Sequence, residues 1–119
     1  MAFAAPDLTA ALASATTKNQ WGPAASKQAA DWFVNFLQAV YKAPAGTVIN
    51  VMSKKADDLW HEYLNDPNYD SYCQQCFGYV LQHIETPPRR KPTAAEEAAV
   101  EPYYRPNWPI PDSIVSCHA

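Results

Sequence analysis

The fold of this chain is decided by residues 57–84, DDLWHEYLNDPNYDSYCQQCFGYVLQHI. Apolar residues in the first part of this stretch, and again in the last part, recur every three or four positions, which is the period of a buried helical face. Between the two parts lies 65–67, Asn-Asp-Pro, which stops one helix and starts another, since proline is tolerated at a first helical position. We therefore predict a helical hairpin over 53–84, with helices at 53–64 and 67–84.

The residues before this hairpin predict two further helices. Asp7 is a candidate N-cap for a short helix over 7–17, and Gly22-Pro23 breaks the chain after it. A second helix is expected from Ser26 to Lys42, because its apolar positions again recur at three and four residues. Ser53 is the expected N-cap of the first hairpin helix, and residues 47–51 are expected to form an extended connector.

The C-terminal part has a different composition, since seven of the eleven prolines lie between Pro87 and Pro111. A last helix is predicted over 93–104, where Thr93 and Glu96 have the spacing of a capping box. The remaining tail is expected either to lie on the helices through Trp108, Ile110 and Ile114 or to stay mobile. We therefore predict an all-α, single-domain bundle of four to five helices with an extended Pro-rich C-terminal tail. Its parts are a helical core, 1–86, and a Pro-rich segment, 87–119.

Composition excludes several classes of function. A net charge of -3 gives no basic face for nucleic acid, and the one basic cluster, 89–91, lies among prolines. No apolar run approaches the roughly 20 residues that span a bilayer, so no membrane partner is expected. The N-terminus lacks the basic start of a signal peptide, and three cysteines cannot all pair, so we predict a cytoplasmic protein with reduced thiols.

Asp57 and His61 are four residues apart and so are neighbours on one helical face. This pair has two interpretations. The carboxylate could orient a histidine that borders a cleft, or the two groups could form a surface ion pair of small energy.

Cys73 and Cys76 form a CxxC motif, but they lie too far into the predicted helix for the thiolate stabilisation used in thiol redox proteins. As metal ligands they leave two sets open: His61 with Cys73, with or without Cys76, or His61 with His83. In a continuous helix the two cysteines and His83 could not all bind one ion, because each residue adds about 1.5 Å along the axis. Cys117 and His118 could join only if the tail folds back. The structural alternative is that both thiols are small apolar fillers of the core.

The pattern as a whole resembles a known family. Asp57-x-x-Trp60-His61-Glu62-Tyr63-Leu64, followed by Tyr69-x-x-x-Cys73-x-x-x-Phe77-Gly78-x-Val80-Leu81-x-His83, is similar to the glycine-rich domain-containing protein-like family in its short bacterial form. The resemblance covers residues 52–83 and implies a small helical module without a known activity. It draws attention to the motif residues Asp57, Trp60, His61, Cys73, Gly78 and His83. Where many relatives have two adjacent histidines, this chain has Gln82-His83.

Three functional hypotheses follow, and none decides whether the protein is an enzyme. The first is an accessory module that recognises a protein or a small ligand through an aromatic surface; its candidate residues are Asp57, Trp60, His61, Tyr63 and Gly78. The second is a metal-binding protein or metal-dependent enzyme with zinc or iron, centred on His61 with Cys73, Cys76 or His83 and with Asp57 as the group that orients the histidine. The third is that these residues only hold the hairpin together.

Overall fold

A computed structural model of the chain describes residues 3–44, 47, 49–104 and 115–118, with the backbone alone for 85–90, 100 and 115–118. Within these residues there are five helices and one antiparallel pair of strands. In chain order the elements are α1 (Thr9–Asn19), α2 (Pro23–Lys42), α3 (Lys54–Tyr63), α4 (Tyr69–Phe77), β1 (Ile84–Arg90), α5 (Ala94–Tyr104) and β2 (Val115–His118). The predicted all-α bundle is confirmed, and the strand pair is a local addition to it.

Helix α3 begins as its sequence predicts. The side chain of Ser53 accepts a hydrogen bond from the backbone N–H of Ala56, which gives one of the free donors of the first turn a partner. The helix ends at Tyr63, and the turn that follows is closed by the Asp66 carboxylate, which accepts from the backbone N–H of Asn68. The hairpin therefore has its predicted first helix, whereas its second helix starts at Tyr69, two residues after the expected Pro67.

Helix α4 is much shorter than predicted. We expected it to continue to Ile84, but it ends at Phe77. Gly78 follows with φ at +82° in the left-handed region, and its N–H bonds to the carbonyl of Gln74, so the helix is closed by a C-terminal glycine. The apolar spacing beyond this glycine was wrongly interpreted as helix. As a result, residues 79–83 are not helical, and His83 lies outside any helix.

The core lies between α2 and α3 and is largely aromatic. Phe36 contacts Trp60 with ring centroids 4.9 Å apart, and Phe33 meets Tyr63 edge-on at 6.0 Å. These rings are almost completely buried, so each removes a large apolar area from water. Helix α1 packs on α3 and helix α5 packs on α2, so both termini of the described bundle enclose this core.

The first two helices are shifted from their predicted bounds. α1 begins at Thr9, because the Asp7 carboxylate accepts hydrogen bonds from the backbone N–H and the hydroxyl of Thr9. Those bonds lower the pKa of Asp7, with the backbone bond as the main cause. α2 begins at Pro23, which occupies its first turn, rather than at Ser26. Helix α1 is joined to α3 by Glu62, whose carboxylate accepts hydrogen bonds from the side chains of Ser14 and Lys18.

The C-terminal part belongs to the bundle. Thr93 and Glu96 form the predicted capping box at the start of α5, with reciprocal bonds of 3.0 and 3.2 Å. At its other end Tyr104 is buried, and its hydroxyl donates to the carbonyl of Asn50. Strand β2 pairs antiparallel with β1 and also contacts α3, so this part of the tail is docked. The expected contacts through Trp108, Ile110 and Ile114 lie outside the described residues.

None of the described helices is both long enough and apolar enough to cross a membrane.

Candidate metal centre

Asp57 is the buried centre of the candidate site. It lies in the first turn of α3, and only 1% of its surface is exposed. Its backbone N–H donates to the carbonyl of Ser53, so the helix start fixes its position. The sequence left open a surface ion pair for this residue, whereas the structure buries it. A carboxylate in such surroundings needs strong partners, because burying a charge without them is costly.

His83 is the first partner of Asp57. Its Nε2 atom lies 3.0 Å from Oδ1 of Asp57, and only 7% of its side chain is exposed. The ring packs edge-on against the indole of Trp60, with centroids 4.4 Å apart. His83 therefore reaches α3 from the segment that follows α4, across a separation of 26 residues in sequence.

A buried hydrogen-bond chain holds this segment in place. The hydroxyl of Tyr69 donates to the carbonyl of Leu81 at 2.7 Å and accepts from Nε1 of Trp60 at 3.1 Å. Burial of Tyr69 raises the pKa of its hydroxyl, so the group stays protonated and able to donate. Because Leu81 is two residues before His83, this chain of bonds fixes the approach of the imidazole to α3.

His61 completes the cluster. As its spacing predicts, it is next to Asp57, with Nε2 at 3.5 Å from Oδ1. Its ring also lies 4.3 Å, centroid to centroid, from the ring of His83. Although 39% of the side chain is exposed, the Nε2 atom itself is buried. The imidazole thus covers the site with one edge in solvent and its inner nitrogen directed at the cluster.

Asp57, His61 and His83 each bring a ligand atom to within 4.8 Å of the others. Among the residues whose side chains are described, no other group of three or more histidine, cysteine, aspartate or glutamate residues meets this distance. Two imidazole nitrogens and one carboxylate oxygen suit zinc and ferrous iron, which both use such three-residue sets. Of the two ligand sets that the sequence left open, the structure brings together His61 and His83, with Asp57 as a third candidate ligand rather than only an orienting group.

The two cysteines of the CxxC motif are not members of this group. Cys73 is buried in the core, and this burial raises the pKa of its thiol, partly offset by a hydrogen bond with the backbone of Leu81. Such a thiol is a poor metal ligand, since metals bind the thiolate. Cys76 is half-buried and lines a groove elsewhere. The set of His61 with Cys73, with or without Cys76, therefore does not assemble among the described residues.

Three other residues singled out by the sequence have structural positions. Trp60 and Tyr63 are buried in the aromatic core and offer no surface to a partner. Burial, with smaller contributions from nearby Asp66 and Cys73, raises the pKa of Tyr63 to about 12. Gly78 is exposed and closes α4. Trp60 is nevertheless part of the site's wall, because its ring contacts His83.

A separate groove of about 470 Å³ lies between the N-terminal segment, the end of α2 and α4. The residues that line it include Tyr41, Tyr72 and Cys76. The hydroxyl of Tyr72 donates to the carbonyl of Ala4 at 2.6 Å, which holds the N-terminal segment against α4. This volume is within the range of small-molecule sites.

Comparisons with protein-family models, with curated proteins and with solved structures give no match for this chain. The resemblance to the glycine-rich domain-containing protein-like family therefore stays a hypothesis that depends on the motif residues alone. Any functional conclusion has to come from the geometry of the chain itself.

Proposed function

We propose that this protein binds a divalent transition metal ion, zinc or ferrous iron, through Asp57, His61 and His83. The observation that carries the proposal is the convergence of one oxygen and two nitrogen atoms within 4.8 Å around a carboxylate that is almost fully buried. A set of this kind can close around an ion with ligand distances of about 2.0 to 2.2 Å after small side-chain shifts.

The surroundings support this proposal. Trp60 forms an apolar wall beside His83, which keeps water from competing at that side, while His61 leaves an edge of the cluster near solvent. The Tyr69 hydrogen-bond chain limits the motion of the segment that carries His83. A preformed set of ligands loses less conformational entropy when the ion binds. With three ligands from these residues, zinc or iron would have positions left for water or a further ligand.

The test is elemental analysis of untagged full-length protein purified without chelator, followed by calorimetric titration of the apoprotein with zinc and, without oxygen, with ferrous iron. We expect one ion per chain. His61→Ala and His83→Ala should weaken binding by more than the roughly 10- to 100-fold that is typical of losing a residue that only hydrogen-bonds to a metal ligand.

Asp58→Asn is the matched control for Asp57→Asn, because Asp58 is the next carboxylate on the helix and is not in the cluster. Equal affinity in all four variants, or no ion bound by wild type, would overturn the proposal.

A second candidate function is recognition of a small apolar ligand in the groove beside Tyr41 and Tyr72. This function corresponds to the hypothesis of an accessory module that recognises a small ligand through an aromatic surface. The groove's volume of about 470 Å³ favours it. The probe is the fluorescent dye 1-anilinonaphthalene-8-sulfonate. Tyr41→Ala should reduce its binding, whereas Tyr79→Ala, which removes an exposed tyrosine not found in the groove lining, should not. Equal binding by both variants would count against this function.

The cytoplasm stays the proposed compartment, and no nucleic-acid partner is proposed. In a reducing compartment the thiols of Cys73 and Cys76 would remain free, as they are in this structure.

A further inference from the structure

The groove of about 470 Å³ beside the N-terminal segment lies at the negative ends of two helices. Tyr41, which lines it, is in the last turn of α2, and that helix ends at Lys42. Gln75 and Cys76, which also line it, are in the last turn of α4, which ends at Phe77. The last turn of a helix has carbonyl groups without helical partners, and this end carries roughly half a negative charge. Both helix ends therefore favour a positive charge in the groove.

Asp7 adds a full negative charge to the same groove. It is the only charged residue among the described residues that line the groove, and it is exposed. The two hydrogen bonds that it accepts from Thr9 both go to Oδ1, so neither occupies Oδ2. Because these bonds lower the pKa of Asp7, the carboxylate is ionised at neutral pH. Lys42, the basic residue in the last turn of α2, is not one of the described lining residues.

Two tyrosines provide aromatic groups that can attract a cation. Tyr41 and Tyr72 both line the groove, and both rings contact Phe77, with centroids 6.5 and 6.2 Å apart. Phe77 therefore holds the two rings in one cluster, and the bond from the Tyr72 hydroxyl to the Ala4 carbonyl fixes the second ring further. The face of an aromatic ring attracts a cation that lies within about 6 Å of its centroid. The face is negative, so it offers no such attraction to an anion.

We infer that the groove binds a small organic cation, an amine or a quaternary ammonium ion with an aromatic or other apolar body. This inference rests on the second candidate function, the recognition of a small apolar ligand, and adds the charge of that ligand. The tyrosine rings contact the apolar body and the cationic group, while Asp7 and the two helix ends attract the positive charge. A neutral ligand of the same shape lacks this attraction, and an anion is repelled.

The experiment compares three probes that share a phenol ring and differ in charge. They are para-hydroxyphenyltrimethylammonium, the neutral para-tert-butylphenol and the anionic para-hydroxybenzenesulfonate. Titrations of the full-length chain, followed by the amide NMR shifts of residues 72–76, give the affinity of each probe at the groove. Wild type should bind the ammonium ion about fivefold more tightly than the neutral probe, and the sulfonate should bind most weakly. The sulfonated dye of the second candidate function reports on the apolar walls and not on this preference.

Substitutions at the groove test the source of the preference. Asp7→Asn should weaken ammonium binding about threefold and leave binding of the neutral probe unchanged. Asp31→Asn is the matched control, because it removes the same charge from an exposed residue of α2 that lies about 15 Å along the helix from Tyr41. Tyr41→Leu keeps apolar bulk without an aromatic ring, so it should also lower the ratio of ammonium to neutral affinity, whereas Tyr41→Phe should keep that ratio. The ratio does not depend on how much of a variant is folded.

The inference and the second candidate function fail in different ways. If none of the three probes shifts the amides of the groove in wild type, the candidate function is overturned together with this inference. If the three probes bind equally, or the neutral probe binds most tightly, the groove remains a small-ligand site and only the cation is overturned. If Asp31→Asn lowers the ratio as much as Asp7→Asn, the attraction comes from the net charge of the chain, and the inference is overturned as well.

Discussion

Nε2 of His83 lies 3.0 Å from Oδ1 of Asp57, and this contact joins the segment after α4 to the first turn of α3. Both side chains are almost fully buried, so the contact lies in surroundings where water screens charge poorly. Such a contact is strong when both groups are present and costly to break by removing one of them. It stabilises the fold without metal and supplies two of the proposed ligands when metal binds.

Replacing His83 should destabilise the metal-free protein. His83→Ala removes one hydrogen-bond partner from a buried carboxylate, and we expect the free energy of unfolding to fall by about 2 kcal/mol. Urea denaturation of the apoprotein measures this. His83→Gln keeps a side-chain donor of similar length and should lose less. If both variants unfold at the wild-type urea concentration, the contact does not contribute to stability.

Tyr69→Phe should have a larger effect than Tyr72→Phe. The Tyr69 hydroxyl bonds to both Leu81 and Trp60 in the core, so its removal leaves a buried acceptor and a buried donor without this partner, at a cost of about 2 kcal/mol or more. The Tyr72 hydroxyl donates to the Ala4 carbonyl in an exposed position, so its removal is expected to cost less, about 1 kcal/mol.

The same pair of variants tests whether Tyr69 positions the site. Tyr69→Phe should weaken zinc binding, because the segment that carries His83 becomes less fixed, whereas Tyr72→Phe should bind zinc like wild type. Calorimetric titration of both variants measures this. Weaker binding in Tyr72→Phe to the same extent would indicate a general loss of stability instead of a local effect.

Gly78→Ala should destabilise the protein although there is room for the added methyl group. No atom lies within 4 Å of a Cβ built at this position, but φ is +82°, where alanine is strained by about 1 to 2 kcal/mol. Gly78→Asn is the control, because asparagine tolerates this region better. Thermal unfolding should rank wild type first, then the asparagine variant, then the alanine variant. An alanine variant as stable as wild type would show that the end of α4 rearranges.

Glu62 should make stability depend on pH below its ordinary pKa of 4.5. The Ser14 hydroxyl, at 2.7 Å, is the main cause that lowers the pKa of Glu62, and Lys18 adds to it. A group whose pKa is lower in the folded state contributes stability that is complete above its unfolded pKa and is lost as the pH falls through its folded pKa. Only 14% of this side chain is exposed, so solvent screens its hydrogen bonds only in part.

Glu62→Gln measures this contribution. Urea unfolding should show wild type more stable by about 1 kcal/mol at pH 7, and the difference should shrink towards zero near pH 3. Ser14→Ala removes the main partner, so in that background the Glu62→Gln substitution should change stability less. A difference that is the same at both pH values would contradict the assigned cause.

Much of the helical fold can be read from local patterns in the sequence. The serine cap of α3 and the capping box of α5 occur where predicted, because a cap depends on residues only three positions apart. The helical core positions follow from the same local periodicity. The end of α4 was missed even though Gly78 is visible in the sequence. Apolar spacing continues past that glycine, and such spacing does not distinguish a helix from a buried extended segment.

The candidate site was only partly predictable. The closeness of Asp57 to His61 follows from helical geometry alone, since the two residues are one turn apart. The position of His83 depends on where α4 ends and on the Tyr69–Leu81 bond, which joins residues twelve apart. Likewise, the approach of β2 to α3 depends on a strand pairing across about thirty residues.

The sequence by itself determined the helical class, the starts of α3 and α5 and the pairing of Asp57 with His61, because these depend on contacts within one or two turns. The tertiary structure decided which residues join that pair. It placed Asp57 in the interior, excluded Cys73 and Cys76 from the cluster and brought His83 to it. The physical reason is that burial and long-range contacts are set by how the helices pack, and a local pattern of residues carries no information about which distant segment will cover it.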